Sequence, residues 1–429
     1  MENNKNRFVF LAFDNVNIFC SFVLCMLLFI CSPYYSIIFR GIFWWLSLAW
    51  GLGIFIYHAT VKKDVPWKEP SFIIALVFHL AINLTCLING AFGRYGLGYM
   101  FNAFFAFACF LPFENEDKAL KKAFPIAVAG ACLYSIVDMV TFASTGASFS
   151  FRATRPEGIW GNPNGAGMFV AVALMFLFYL ALNITKLKYK ILLGVATLVL
   201  LMEMMLSGCR NAILGLAVTA VVVAFCYIIR CYATGTVQQK KLLSIILVAL
   251  MIVLLVFCFS PVGRKTFDKV FAGGTSGRDI HWQAGLHYAS KHLLFGSNQI
   301  EMMQKASEAS EEIGFSEKEQ QYVAGSSGES TVHNCFIHIL MAGGLVSLIP
   351  YILLVIMFYV KGFSYMRFIK SMDLEEFHSC MFYATLFTLV LFMSCFESFV
   401  TSINVVPVAY YFAYGFGIKT FDRIEKKYP

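Results

Sequence analysis

Long apolar runs recur along the chain, separated by short polar segments, until one polar stretch from Pro261 to Val332 interrupts the pattern. Runs close to the ~20 residues that cross a bilayer as a helix predict twelve spans: 15–31, 37–57, 71–89, 97–112, 123–143, 163–184, 191–207, 211–229, 242–260, 333–360, 380–397 and 402–418. Only Gly90 to Gly96 separate the third from the fourth. The expected architecture is all-α and polytopic. Residues 1–260 hold nine spans, 261–332 form one large loop, and 333–429 hold three spans and a tail.

Composition supports this class. Apolar residues make up 59% of 429 and charged residues 14%, where soluble chains sit near ~45–50% and ~25%. Mean hydropathy is +0.71. The basic start Met1–Arg7 precedes an apolar run with no small-residue cleavage site, so that run reads as a retained span.

Lysine and arginine set the orientation. With the N-terminus inside, the segments between spans on the inner side carry 21 of the 33 basic residues, and the 261–332 loop faces outward. The net charge of +8 is then accounted for by topology, and nucleic acid is not implied. Inside, 17 of the 21 are lysine; outside, 7 of 12 are arginine, whose fork suits phosphate and carboxylate. Thirteen cysteines, mostly within spans and without CxxC or metal-like spacing, read as small buried hydrophobes.

Three spans that run from outside to inside open with marked helix-start residues: Gly161-Asn162-Pro163-Asn164, Ser207-Gly208-Cys209-Arg210-Asn211, and Thr331-Val332-His333-Asn334. Their positive dipole ends would face the outer water, a favourable place for an anion. In the loop, Ser276-Gly277-Arg278-Asp279 fits a capping pattern. Trp282, Leu286, Ala289 and Leu293 follow at helical spacing until Gly296, which predicts an amphipathic helix at the membrane surface. Arg278 and Arg210 each fall in a first helical turn, where a cation is disfavoured unless an anion is bound.

His333 is either a solvated cap residue or a base able to take a proton from a sugar hydroxyl. His338, five residues on, does not complete a metal pair, and Cys335 lies on an apolar face. Arg152, Arg155 and Glu157, ahead of Asn162, extend an anion site or act as interfacial anchors. Asp138 and Glu203 are the chief acidic residues within spans. Glu203, seven residues before Arg210, is expected on the same helical face as its partner. The acidic stretch 306–330 reads as a solvated surface loop, or a lid.

Arg155-Pro156-Glu157-Gly158-Ile159-Trp160-Gly161-Asn162-Pro163-Asn164, Leu206-Ser207-Gly208-Cys209-Arg210-Asn211-Ala212, Gly277-Arg278-Asp279-Ile280-His281-Trp282, and His333-Asn334 with Gly343-Gly344-Leu345 behind it occur in that order. Together with the large loop they resemble the O-antigen ligase and polysaccharide polymerase superfamily. The resemblance implies a GT-C-like, inverting membrane glycosyltransferase with no metal or other cofactor. It would take a glycan from undecaprenyl pyrophosphate at the outer face of the cytoplasmic membrane and pass it to a glycan or lipid-anchored acceptor, with polysaccharide export proteins as further partners. It makes Arg210 and Arg278 the pyrophosphate-binding arginines and His333 the base; Arg152, Arg155, Asn162, Asn164 and Asn334 are the accompanying candidates for substrate binding. Cys209 departs from the Ser or Thr expected before the arginine, which puts a hydroxyl role there in doubt. Polymerase is favoured slightly over ligase on the Phe-, Lys- and Asn-rich composition. A transporter or flippase of lipid-linked glycan is the competing reading, and a non-catalytic export scaffold a third.

Overall fold

The computed structural model describes residues 51–113, 116–144, 163–241, 278–297, 311–325, 332–397 and 405–429, with single positions at 49, 244 and 308. The first and ninth predicted spans, most of the second, and Arg152, Arg155 and Asn162 lie outside the described residues. Among the described residues the secondary structure is helical, without a strand.

In chain order the helices are α1 Pro70–Ile88, α2 Leu97–Phe110, α3 Glu116–Ser144, α4 Pro163–Asn183, α5 Leu187–Ser207, α6 Arg210–Thr234, α7 Arg278–Lys291, α8 Glu317–Gly325, α9 Cys335–Ser364, α10 Leu374–Ser394 and α11 Val405–Lys427. Among the described residues, seven helices are long and apolar enough to cross a membrane: α1, α3, α4, α5, α6, α9 and α10. The predicted fourth span is the shorter α2. At ~1.5 Å per residue, its 14 residues reach about 21 Å.

Local sequence explains several boundaries. Pro70 opens α1, where its missing N–H costs no helical bond. Asp373 and Glu376 form a reciprocal capping box at the start of α10. Asn334 caps α9 by accepting from the Ile337 amide at 3.1 Å.

The core is aromatic. Helix α11 packs against α10, α2, α9 and α4, burying Tyr410, Tyr411 and Tyr414 fully. Phe358 stacks on Phe387 at 3.9 Å, and Phe387 meets Tyr410 at 4.7 Å. Offset and tilted ring pairs of this kind contribute beyond their buried area. At the end away from His333, basic residues pair with acidic residues of neighbouring segments: Lys419 with Glu116, Arg423 with Asp117, Lys121 with Glu375, and Lys427 with Glu376.

Two expectations change. Helix α9 has 30 residues, about 45 Å if straight, half as long again as a bilayer core of ~30 Å. It breaks at Gly344, whose φ of 61° and ψ of −164° are not helical. The break leaves a short helix, 335–343, and a full crossing, 345–364. The freed amides of Leu345 and Val346 donate to the carbonyls of Leu293 and Leu294, at 2.8 and 3.2 Å. A Cβ on Gly344 would collide with that Leu294 carbonyl, so glycine is required twice over there.

The loop helix packs on the bundle through small residues. Helix α7 buries His281, Ala284, Gly285, Tyr288 and Ala289, while Leu286 and Leu293 are each 48% exposed. The cause is its neighbour: a Cβ on Gly285 would stand 3.0 Å from Met341 Sδ and 3.1 Å from Ile337 and Val332. A helix approaching 335–343 that closely must present small residues.

Glu203 is not Arg210's partner. Gly208, at φ 57°, ends α5, and Arg210 opens a new helix. Glu203 is instead buried and hydrogen-bonded to Asp138 of α3.

Candidate functional site

The starts of α4, α6, α7 and α9 and the end of α10 meet at one end of the bundle, and a residue absent from the sequence expectations joins them. Glu397, just past α10, is 7% exposed. Its Oε1 accepts from Arg278 Nη2 at 2.5 Å and from Asn164 Nδ2 at 3.4 Å, and its Oε2 meets His333 Nδ1 at 2.7 Å. A carboxylate only accepts, so Nδ1 of His333 carries the hydrogen and Nε2 is left as the basic nitrogen.

His333 is held by more than that bond. Its backbone sits at φ 51°, the left-handed region that histidine enters more readily than most residues. Its carbonyl accepts from Trp282 Nε1 at 3.4 Å. The His281 ring, itself buried, lies 6.2 Å from the His333 ring. Trp282 also packs on Phe396 at 6.1 Å. Helix α7 is thereby fixed to both sides of the His333 turn, through Arg278 to Glu397 and through Trp282 to His333. Asn334 adds a third tie, donating from Nδ2 to the Cys395 carbonyl at 2.9 Å.

Arg210 opens α6 with its side chain exposed. Its neighbour Cys209 is fully buried. The thiol donates to Asn211 Oδ1 at 2.6 Å and lies 3.5 Å from the Asn164 carbonyl. Asn211 in turn reaches Met168 Sδ at 3.6 Å. The departure at position 209 thus serves the seam between α4 and α6. Gly167 permits the approach, since a Cβ there would strike Cys209.

Of the predicted site residues, Arg278, His333, Asn164 and Asn334 come together around Glu397 or its neighbour Cys395, and Arg210 stands next to that cluster through Cys209. His338 and Cys335 are buried in the short helix, facing away from water. Among the described residues, no group of three or more His, Cys, Asp or Glu is arranged to hold a metal ion.

Glu397 had a signal in the sequence. It is the one formally charged residue between Glu376 and Lys419, and a charge in such an apolar stretch needs a partner or a function. The four helix starts drew attention to N-termini, whereas Glu397 follows a helix end.

Farther along the loop, the Glu312 carboxylate bridges Lys291 and His287 of α7. Those two partners, Lys291 first, hold its carboxyl below the usual range.

The cluster can offer a basic nitrogen at His333 and two guanidinium groups, beside the starts of α4, α6, α7 and α9. No curated protein compared with the chain matches it. The O-antigen ligase family model matches residues 195–352, the stretch that carries Arg210, Arg278 and His333, and bears out the resemblance of this membrane protein to the O-antigen ligase and polysaccharide polymerase superfamily.

Proposed function

We propose that the protein is an inverting glycosyltransferase of the cytoplasmic membrane that takes a glycan from undecaprenyl pyrophosphate at the outer face. The observation that carries this reading is the meeting of His333 and Arg278 on one buried carboxylate, beside the exposed Arg210. In the proposed step, the acceptor hydroxyl oxygen attacks the anomeric carbon as the bond from that carbon to the pyrophosphate oxygen breaks. His333 Nε2 takes the hydroxyl proton. The departing pyrophosphate gains negative charge, which Arg210, Arg278 and the helix starts at Asn164 and Arg210 stabilise.

The pairing of Arg278 with Glu397 is compatible with this role. A guanidinium has five N–H donors, and the bond to Glu397 engages Nη2. Glu397 keeps the fork oriented while its other edge receives a phosphate. Asn334 and Asn164 support the turn and the carboxylate, and Arg152, Arg155 and Asn162 remain part of the proposed substrate site by sequence. Polymerisation onto a growing glycan is favoured over ligation to a lipid-anchored core, on composition.

A lipid-glycan flippase draws on one specific observation, the broken helix α9, since interrupted helices mark many transporter sites. Here the break is filled by the backbone of Leu293 to Ser297, and the polar cluster lies at the helix starts instead. Purified protein with a labelled undecaprenyl-pyrophosphate glycan separates the readings. Transfer that is lost when Arg210, Arg278 and His333 are all replaced by alanine supports the enzyme. Full transfer by that triple variant, or uptake into vesicles without transfer, overturns it.

A further inference from the structure

The turn that follows α7 exposes large apolar side chains in succession: Leu293 at 48%, Leu294 at 57% and Phe295 at 48%. Leu286, on the preceding helix, is also 48% exposed. Runs of this kind on a loop mark interaction surfaces. Backbone bonds fix the turn in place: Leu293 and Leu294 accept from Leu345 and Val346, Ser297 donates to Met341, and Phe295 accepts from Asn89 Nδ2 at 3.2 Å.

Those anchors set its height. Residues 345–364 of α9, twenty in number, span about 30 Å, the thickness of a bilayer core. The break at Gly344 therefore falls at the edge of that core, and the Leu293–Phe295 turn sits against it. Asn89 caps the same end of α1. The last turns of α1 expose Leu84, Leu87 and Ile88, and α9 exposes Ile349 and Leu353 just beyond its break. The apolar turn continues the lipid-facing surface of two membrane-crossing helices.

We propose that Leu293, Leu294 and Phe295 form a membrane anchor inserted among the phospholipid acyl chains of the leaflet on the His333 side. Short apolar insertions at the boundary between headgroups and acyl chains are how interfacial elements hold to a bilayer. The outward loop, whose helix is expected at the membrane surface, thus enters lipid at this point. Helix α7 is tethered at both ends, by Arg278 to Glu397 and by its C-terminal turn to the bilayer. The inference rests on burial and backbone geometry and is independent of glycosyl transfer.

Photo-crosslinking tests it on the full chain in phospholipid nanodiscs. Phe295→p-benzoylphenylalanine should yield phospholipid adducts by mass spectrometry, at least tenfold above Lys318→p-benzoylphenylalanine on the exposed face of α8. Equal lipid yields at the two positions, or a crosslink from position 295 to another segment of the chain in place of lipid, would overturn the proposal. A second variant, Leu294→Trp, gives an independent reading. Its added fluorescence should be quenched by lipids brominated on their acyl chains, and unquenched emission counts against the anchor.

Discussion

Glu397 and His333 lie 64 positions apart in sequence, and their side chains meet at 2.7 Å. The same carboxylate holds Arg278 on its other oxygen, so one buried acid orients both the proposed base and a proposed phosphate-binding group. Each oxygen has a partner, which is the condition under which a buried charge is tolerated. The arrangement also couples the loop to the bundle, because α7 reaches the site through this contact.

Removing the charge while keeping the shape should therefore disable the base without unfolding the protein. Glu397→Gln is expected to lower transfer by about 10²–10⁴-fold, the range over which a positioned acid or base contributes. Its elution on size exclusion should match the parent. Glu397→Ala, which strands Arg278, should also cost stability, by about 3–5 kcal/mol as for other broken buried pairs. Transfer by Glu397→Gln at the parental rate would remove the carboxylate from the proposed mechanism.

The left-handed backbone of His333 separates chemistry from folding. Asparagine enters that region readily, whereas a β-branched residue there costs about 1–2 kcal/mol. His333→Asn is expected to keep the thermal midpoint while losing transfer. His333→Val should lose both. Equal midpoints for the two variants in detergent would show that the turn carries no such strain.

At Gly344 the cost of a side chain comes from two sources. Its φ and ψ belong to a region open almost solely to glycine, and a Cβ would meet the Leu294 carbonyl. Gly344→Ala should destabilise by about 2 kcal/mol or more and loosen Leu293–Ser297, seen as faster amide exchange at Leu345 and Val346. Gly165, where a Cβ meets nothing within 4 Å, is the control position, and Gly165→Ala should leave the midpoint unchanged or raised.

Much of this was legible in the sequence, and the gaps have physical causes. Apolar periodicity located the seven long helices, and helix-start residues placed Asn164, Arg210, Arg278, His333 and Asn334 at one end, because capping chemistry is local. The break at Gly344 was hidden, since a Gly-Gly pair inside an apolar run is compatible with an unbroken helix. Which face of α7 packs on protein was not legible, because it follows the close approach of 335–343 at Gly285, a tertiary constraint. Glu397 required the three-dimensional meeting of α10 with α7 and α9, which no spacing rule encodes.

Glu312 ties the acidic segment to α7. Glu312 accepts from Lys291 and from His287 Nε2, and this holds its carboxyl below the usual carboxylate range. A depressed carboxyl pKa contributes stability that is present above the unfolded value and lost as pH falls through the folded one. The contact should therefore hold at neutral pH and open only below about pH 4.5. Because all three groups are substantially exposed, its strength should also fall with salt. Hydrogen exchange over 311–325, corrected for intrinsic rates, is expected to rise at neutral pH in Glu312→Gln and in high salt, and in the parent only under acid. A parental segment that already exchanges as fast as Glu312→Gln at pH 7 and low salt would mean that the ion pair does not hold it.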